Sequence, residues 1–258
     1  MLKKLLGLAL LSVSLQVFSA ENVDQPRGLN IGLGMVAQTG KYLGEDTYVM
    51  PFPTFAYEGE RLFLRGAYGG VHLYKDSNFN VNAILSSNIQ KLDVDELSRS
   101  KLASRNLTRE QIEDRDMSVD TGLELIWKGQ YGSVSLQALS DIGGASDAAA
   151  AKINYQYFWQ LNDQWTIIPN IGVTWLSDDR ANYYYGTLDA EEARGIQRYR
   201  PDSQVIPHVS LSTSYQVNPR WKANAVVTHH VLPNKVADGP LMDADSQTSV
   251  FLGVARQF

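Results

Sequence analysis

A histidine two residues ahead of a serine, His208-Val209-Ser210, puts an imidazole and a hydroxyl on one face of an extended strand. An imidazole within reach of a hydroxyl can take its proton and make it a nucleophile, as in a lipid hydrolase. Two features weaken that reading. Ser212 and Ser214 continue the row, so Ser210 reads as one member of a polar stripe on the lumen side of a barrel, away from lipid. The next strand offers Lys222 and Asn224, with no carboxylate to orient the imidazole as a triad requires. His229 and His230 are adjacent, and strand neighbours point to opposite faces, so they cannot chelate one metal together. His72 stands isolated among glycines and aromatics. The acidic groups Asp178-Asp179, Asp243 with Asp245, and Glu45-Asp46 offer carboxylate oxygens to Ca²⁺, but in polar loops they read as solvated charge. Tyr183-Tyr184-Tyr185 is either a stacking surface for a sugar or partner, or packing of a loop against a rim. Gly32-Leu33-Gly34 lacks the following helix of a nucleotide site. No catalytic, metal or cofactor-binding residue is assigned.

The elements that must position these residues alternate with a period of two. Leu29, Ile31, Leu33 and Met35 form one apolar row; Trp165, Ile167, Pro169, Ile171, Val173 and Trp175 form another; Val250, Leu252 and Val254 lead to Arg256 and a terminal Phe258. Alternation means one apolar face and one polar face. Aromatics stand near the ends of several rows (Trp159, Trp165, Trp175, Tyr215, Trp221), where amphipathic rings favour a membrane–water boundary. Tight turns fall at residues 128–131, 161–164 and 217–220, whereas 91–116, 177–204 and 232–247 are long and polar. Short periplasmic turns and long outer loops are the asymmetry of outer-membrane barrels. The first long loop has capping-box spacing at Asp93/Glu96 and Thr108/Gln111 but reads as a solvated flap. Strands are legible at 28–38, 48–58, 61–74, 78–91, 117–128, 131–141, 151–161, 164–176, 204–216, 220–231 and 248–258. Eleven is odd, and a closed antiparallel barrel with both ends periplasmic needs an even number. Gly66, Gly69 and Gly70 interrupt the third run, which predicts that it is two strands. The expectation is all-β: a closed antiparallel transmembrane barrel of twelve strands, with ten as the alternative, and the first strand closing on the last.

Residues 1–20 read as a signal peptide: Lys3 and Lys4, an apolar core over 5–17, then small residues. Residues 21–258 then form one outer-membrane domain, since no Pro/Ser-rich linker divides them. The chain carries a net charge of −5, and removing Lys3 and Lys4 makes it more negative, which argues against nucleic acid as a partner. With zero Cys there is neither a disulfide framework nor thiolate chemistry.

Three local patterns resemble one family. Gln38-Thr39-Gly40-Lys41-Tyr42-Leu43-Gly44-Glu45-Asp46, after a Gly-alternating strand, is similar to the N-terminal motif of MipA/OmpV proteins. Tyr183-Tyr184-Tyr185-Gly186, followed by Glu191, Glu192, Gly195 and Tyr199, resembles that family's second block. Asp238-Gly239-Pro240-Leu241 sits where the family usually carries Asp-Ser-Pro, with Gly239 in place of the Ser; Arg256 stands where many members have an aromatic. The family positions are therefore Tyr42, Gly44, Tyr184, Tyr185, Gly186, Asp238 and Pro240, with no role attached. The resemblance implies an outer-membrane protein without catalysis or cofactor, in contact with outer-membrane lipid and lipopolysaccharide. One member is described as a scaffold linking a periplasmic lytic transglycosylase to a penicillin-binding murein synthase. Others are described as adhesins or porin-like proteins, and a fold does not choose among these.

Overall fold

The computed structural model describes residues 28–258; the expected signal peptide and residues 21–27 lie outside it. The described residues form one antiparallel sheet that closes on itself. Its strands are β1 (Gly28–Gln38), β2 (Tyr48–Glu58), β3 (Leu62–Arg65), β4 (Tyr68–Lys75), β5 (Phe79–Asn88), β6 (Ser118–Gly129), β7 (Gly132–Asp141), β8 (Ala149–Gln156), β9 (Trp159–Gln160), β10 (Trp165–Leu176), β11 (Gln204–Asn218), β12 (Trp221–Val231) and β13 (Ser246–Gln257). Each pairs with the next, except that β8 and β9 both pair with β10; β10 pairs with β11, and β13 returns to β1 with Met35 opposite Leu252. Closure of β13 on β1 removes the free edges that the first and last strands would otherwise present to other chains.

Twelve strands make the wall, and the two-residue β9 is the extra one. It keeps the register of β8: Gln156 faces Asn170 and Trp159 faces Ile167 along the same β10. The interruption has a local cause. The Tyr157 amide donates to the Pro169 carbonyl at 3.1 Å, but Pro169 has no N–H to return. The expected split of the third run also occurs. Gly66, with φ +63, opens a two-residue turn between Arg65 and Tyr68, the conformation that a glycine adopts without steric cost.

Alternation sorts the side chains as the sequence predicts. Leu29, Ile31, Leu33, Met35, Ile171, Val209 and Leu252 are exposed, so the outer surface of the wall is apolar and faces lipid. Trp127, Trp159, Trp165 and Trp221 ring the end of the short turns, with Trp165 and Tyr215 4.7 Å apart between ring centroids. Inside, buried polar groups replace an apolar core: Asn82, Glu124, Asn154, Asn170, Asn224 and Thr228 all face the lumen. Four helices, α1 (Arg99–Ser104), α2 (Asp178–Tyr185), α3 (Asp189–Ala193) and α4 (Asn234–Ala237), all lie in the three long loops at the opposite end from the short turns.

Candidate functional site: a capped lumen

The long loops are not a solvated flap; they pack on one another as a cap over one end of the barrel. Leu92, Leu97, Leu102 and Ile112 of the first long loop are buried with Tyr184, Tyr185 and Ile196 of the second and Leu232, Val236 and Met242 of the third. The predicted solvation fails because charge and burial segregate within each loop. Arg99, Lys101 and Glu110 face water while one leucine or isoleucine per turn faces inward. The capping box at Thr108 and Gln111 does form, with Thr108 N–H donating to Gln111 Oε1 at 2.9 Å.

The three family patterns, distant in sequence, meet in this cap. Tyr42 pairs with Met242 in an isolated bridge; Leu43 N–H donates to Leu241 O at 2.9 Å and Asp243 N–H to Lys41 O at 2.9 Å. Tyr42 Oη donates to the Tyr184 carbonyl at 3.0 Å, which ties the first pattern to the second. Gly44, at φ +68, approaches so close that an added Cβ would lie 2.2 Å from Ser98 Cβ, and its N–H donates to Asp243 Oδ2 at 3.3 Å. Tyr42, Tyr184, Tyr185 and Gly186 are buried, Gly44 and Pro240 half-buried, and Asp238 exposed at the end of α4. The Pro240 carbonyl accepts from Arg105 Nη1 at 3.2 Å. The tyrosine cluster therefore packs within the cap rather than presenting a free stacking face.

Two ion pairs that the sequence did not reveal lock the cap. Arg115 and Glu191 are bidentate, at 2.9 and 2.8 Å, and both side chains are 0% exposed. Arg115 Nε also donates to the Tyr183 carbonyl at 2.6 Å. Beneath them Arg180 on α2 reaches down to Asp120 on β6 at 2.7 Å and to Ser118 Oγ at 2.7 Å. A planar guanidinium with several fixed donors suits such sites, because a buried charge depends on its hydrogen bonds; Arg115 makes them from all three nitrogens, whereas Arg180 Nη1 has no partner among the described residues. No periodicity flags a cation whose partner lies in another loop.

Two acidic residues expected to be solvated are engaged. Glu45 Oε2 accepts from the Lys41 and Tyr42 amides at 2.8 and 3.1 Å. Asp243 is bound to Lys101, which holds its carboxyl below the usual range. Asp178 and Asp179 remain exposed in the first turn of α2. Lys41 is buried with its ammonium 5.0 and 5.1 Å from the Tyr42 and Tyr185 ring centroids, and burial pulls its pKa down to about 8. Burial likewise pushes the Tyr184 phenol up to about 12.

Below the cap lies a cavity of about 780 Å³, lined from Lys75 and Lys128 near the short turns to Lys41 and Tyr185 under the cap. Its walls carry many charged groups, and one cluster of them is paired internally. Glu58 accepts from Arg65 at 3.0 Å and from Lys75 at 2.6 Å, and lies 3.0 Å from His72 Nε2. His72 is thus not isolated: Asn82 lies 2.7 Å from its Nδ1 and Phe63 stacks on it at 4.8 Å. Alternation along β2, β3 and β4 places these groups on one inner face, and the pairing of β3 with both neighbours sets Glu58, Arg65 and His72 across from one another. His208 faces the lumen as expected, 5.2 Å from His230 between ring centroids, and its Nδ1 has no hydrogen-bond partner among the described residues. Ser210 lies opposite Asn170 and Thr228, so neither neighbouring strand brings a carboxylate to its register position.

A family model described as MltA-interacting protein MipA matches residues 31–258, from within β1 to the last residue. The chain belongs to this family. The MltA-interacting protein of Escherichia coli (strain K12) is 26% identical over 255 residues, covering 97% of this chain and 99% of that protein. Outer membrane protein OmpV of Vibrio cholerae serotype O1 is 23% identical over 244 residues, covering 85% and 95%. Among solved structures, the NanC porin aligns with a TM-score of 0.49 at 8% identity, covering 88% of this chain and all (100%) of that one. Membership in a family of outer-membrane proteins, together with an apolar lipid-facing wall, places the chain in the outer membrane as a β-barrel.

Proposed function

We propose that this protein, as a single domain over residues 21–258 once 1–20 are removed, is a non-enzymatic interaction protein. It would hold a periplasmic lytic transglycosylase and a penicillin-binding murein synthase together at the inner side of the outer membrane. The observation that carries this reading is the end-to-end likeness to the MltA-interacting protein, a name that states a partner. The geometry is compatible with it. The long loops are engaged with one another in the cap, which leaves the short turns as the periplasmic surface. Tethering raises the local concentration of two enzymes without transforming a substrate. Photo-crosslinking from the turn at Asp163 in intact cells is expected to trap a transglycosylase or a penicillin-binding protein. Recovery of neither would reject the scaffold.

A narrow channel is the second reading, and the polar cavity of about 780 Å³ favours it. An adhesin would need exposed loop chemistry, and the tyrosine cluster is turned inward. Hydrolysis through His208 and Ser210 has the least support, because among the described residues no carboxylate bonds the imidazole Nδ1.

A further inference from the structure

The barrel wall is incomplete on one side, within its apolar band. β2 pairs with β1 along its whole length, from Glu58 to Tyr48, but with β3 only over Ala56–Glu58, followed by one bond from Gly66 N–H to the Phe55 carbonyl at 3.1 Å. The β3–β4 turn stops there. Beyond it, no strand among the described residues pairs with residues 48–54 of β2 on that side. Across the opening stands the end of β5, where Ser87 N–H reaches the Ala67 carbonyl at 3.0 Å. The result is a wedge-shaped notch bounded by β2, the turn at Gly66-Ala67 and residues 87–89.

The sequence of β2 fits an edge that faces lipid. Backbone groups alternate sides along a strand, and Phe55 directs its carbonyl toward the notch, so Val49, Pro51 and Pro53 do the same. An unpaired N–H in hydrocarbon is costly, and proline has none to expose. Two of those three positions are proline. Their side chains and those of Val49 and Phe55 point outward and are exposed, so apolar groups frame the notch.

Behind the notch the lumen changes character. Most of its wall is polar, but here Tyr48, Met50, Phe52 and Ile89 pack on Val36, Val226 and Phe251, with Phe52 and Phe251 5.9 Å apart between centroids. Gly34 and Gly253 leave room for the Phe251 ring to lie flat against the wall. The large cavity reaches this point, since Val49, Met50, Ala67, Ser87 and Ile89 all line it. A path therefore runs from the lipid-facing surface, past an apolar rim, over an apolar patch and into the lumen.

We propose that the notch admits one acyl chain of a lipid from the surrounding outer-side leaflet, which lies on the Met50–Phe52–Ile89 patch. The location within the lipid-facing band selects this occupant: the rim is bathed in acyl chains, and burying methylene groups on an apolar patch is favourable where polar solutes gain nothing. The assignment is independent of tethering, because it concerns the opposite half of the barrel and needs no murein enzyme.

The test uses the purified chain in phosphatidylethanolamine/phosphatidylglycerol vesicles doped with a phospholipid carrying a diazirine in one acyl chain. After photolysis, mass spectrometry is expected to find adducts on the lumen-facing Met50, Phe52 or Ile89 at yields within about threefold of outward-facing Leu33. Ile89→Glu is expected to cut lumen labelling at least tenfold while Leu33 labelling stays constant, which also reports that the barrel is folded. Adducts confined to outward-facing residues would overturn the proposal, as would lumen labelling indifferent to Ile89→Glu.

Discussion

Arg115 and Glu191 are the residues on which the cap most depends. With both side chains fully buried, removing one partner strands a charge with no water to take it. Glu191→Leu is expected to destabilise the cap by ~3–5 kcal/mol, whereas Arg115→Met with Glu191→Leu costs far less, because no unpaired charge remains. Amide hydrogen exchange of residues 92–116 measures both, and equal loss in the single and double variants would refute the argument.

Lys41 gives the cap a pH dependence. Its folded pKa of about 8 lies below its ordinary 10.5, so the fold favours the neutral amine. From about 8 to 10.5 the unfolded loop holds a proton that the folded one does not, and stability rises with pH across that window. The penalty is present in full below about 8. Tyr184 opposes this at higher pH: its phenol stays protonated to about 12 when folded, so stability falls again above 10. Cap protection, corrected for intrinsic exchange, is expected to increase from pH 7 to 9 in the natural protein and to stay level in Lys41→Met. A flat profile in both would show that the ammonium is not buried in solution.

At the scale of elements, the wall is regular except where proline or glycine interrupts it. Pro169 breaks the ladder between β9 and β8 without shifting the register, so a donor at that position should find its acceptor waiting. Pro169→Ala is expected to add one hydrogen bond to the Tyr157 carbonyl, worth ~1 kcal/mol, against ~0.4–1 kcal/mol lost as the unfolded chain gains freedom. Near-neutral stability with a slowly exchanging new amide at 169 is the expected outcome; rapid exchange there would contradict the assigned cause. The β3–β4 hairpin, by contrast, is a topological interruption, and its short reach leaves β2 with an open side.

For the whole molecule, conductance tests the cap and the lumen together. The loops packed over the outer end predict small and infrequent conductance in planar bilayers, because Tyr185 and Arg180 of the second long loop lie against the cavity. Glu191→Leu, by loosening the cap, is expected to raise conductance at least severalfold. A large steady conductance in the natural protein would mean that the loops do not seal the barrel and would favour the channel reading over the scaffold.

The sequence by itself determined the wall. Each strand needs only its own alternation to show which residues face lipid, so the Leu29–Met35 row, the Trp165–Trp175 row and the closing Val250–Val254 row were legible one segment at a time, as were the short turns and the division at Gly66. Phe258 and Arg256 marked the last strand, which pairs with β1 as expected. Only the tertiary structure decided what the loops do. Their order comes from contacts between residues far apart in the chain: Tyr42 with Tyr184, Gly44 with Asp243, Arg115 with Glu191. No local period encodes such pairings, so a loop that is polar on average reads as solvated even when one residue per turn is buried. The same holds for His72, which meets Glu58 across the intervening β3, and for the notch, which exists because one hairpin is shorter than its neighbours. Barrel closure turns local alternation into a lumen, and the loops then fold against that lumen.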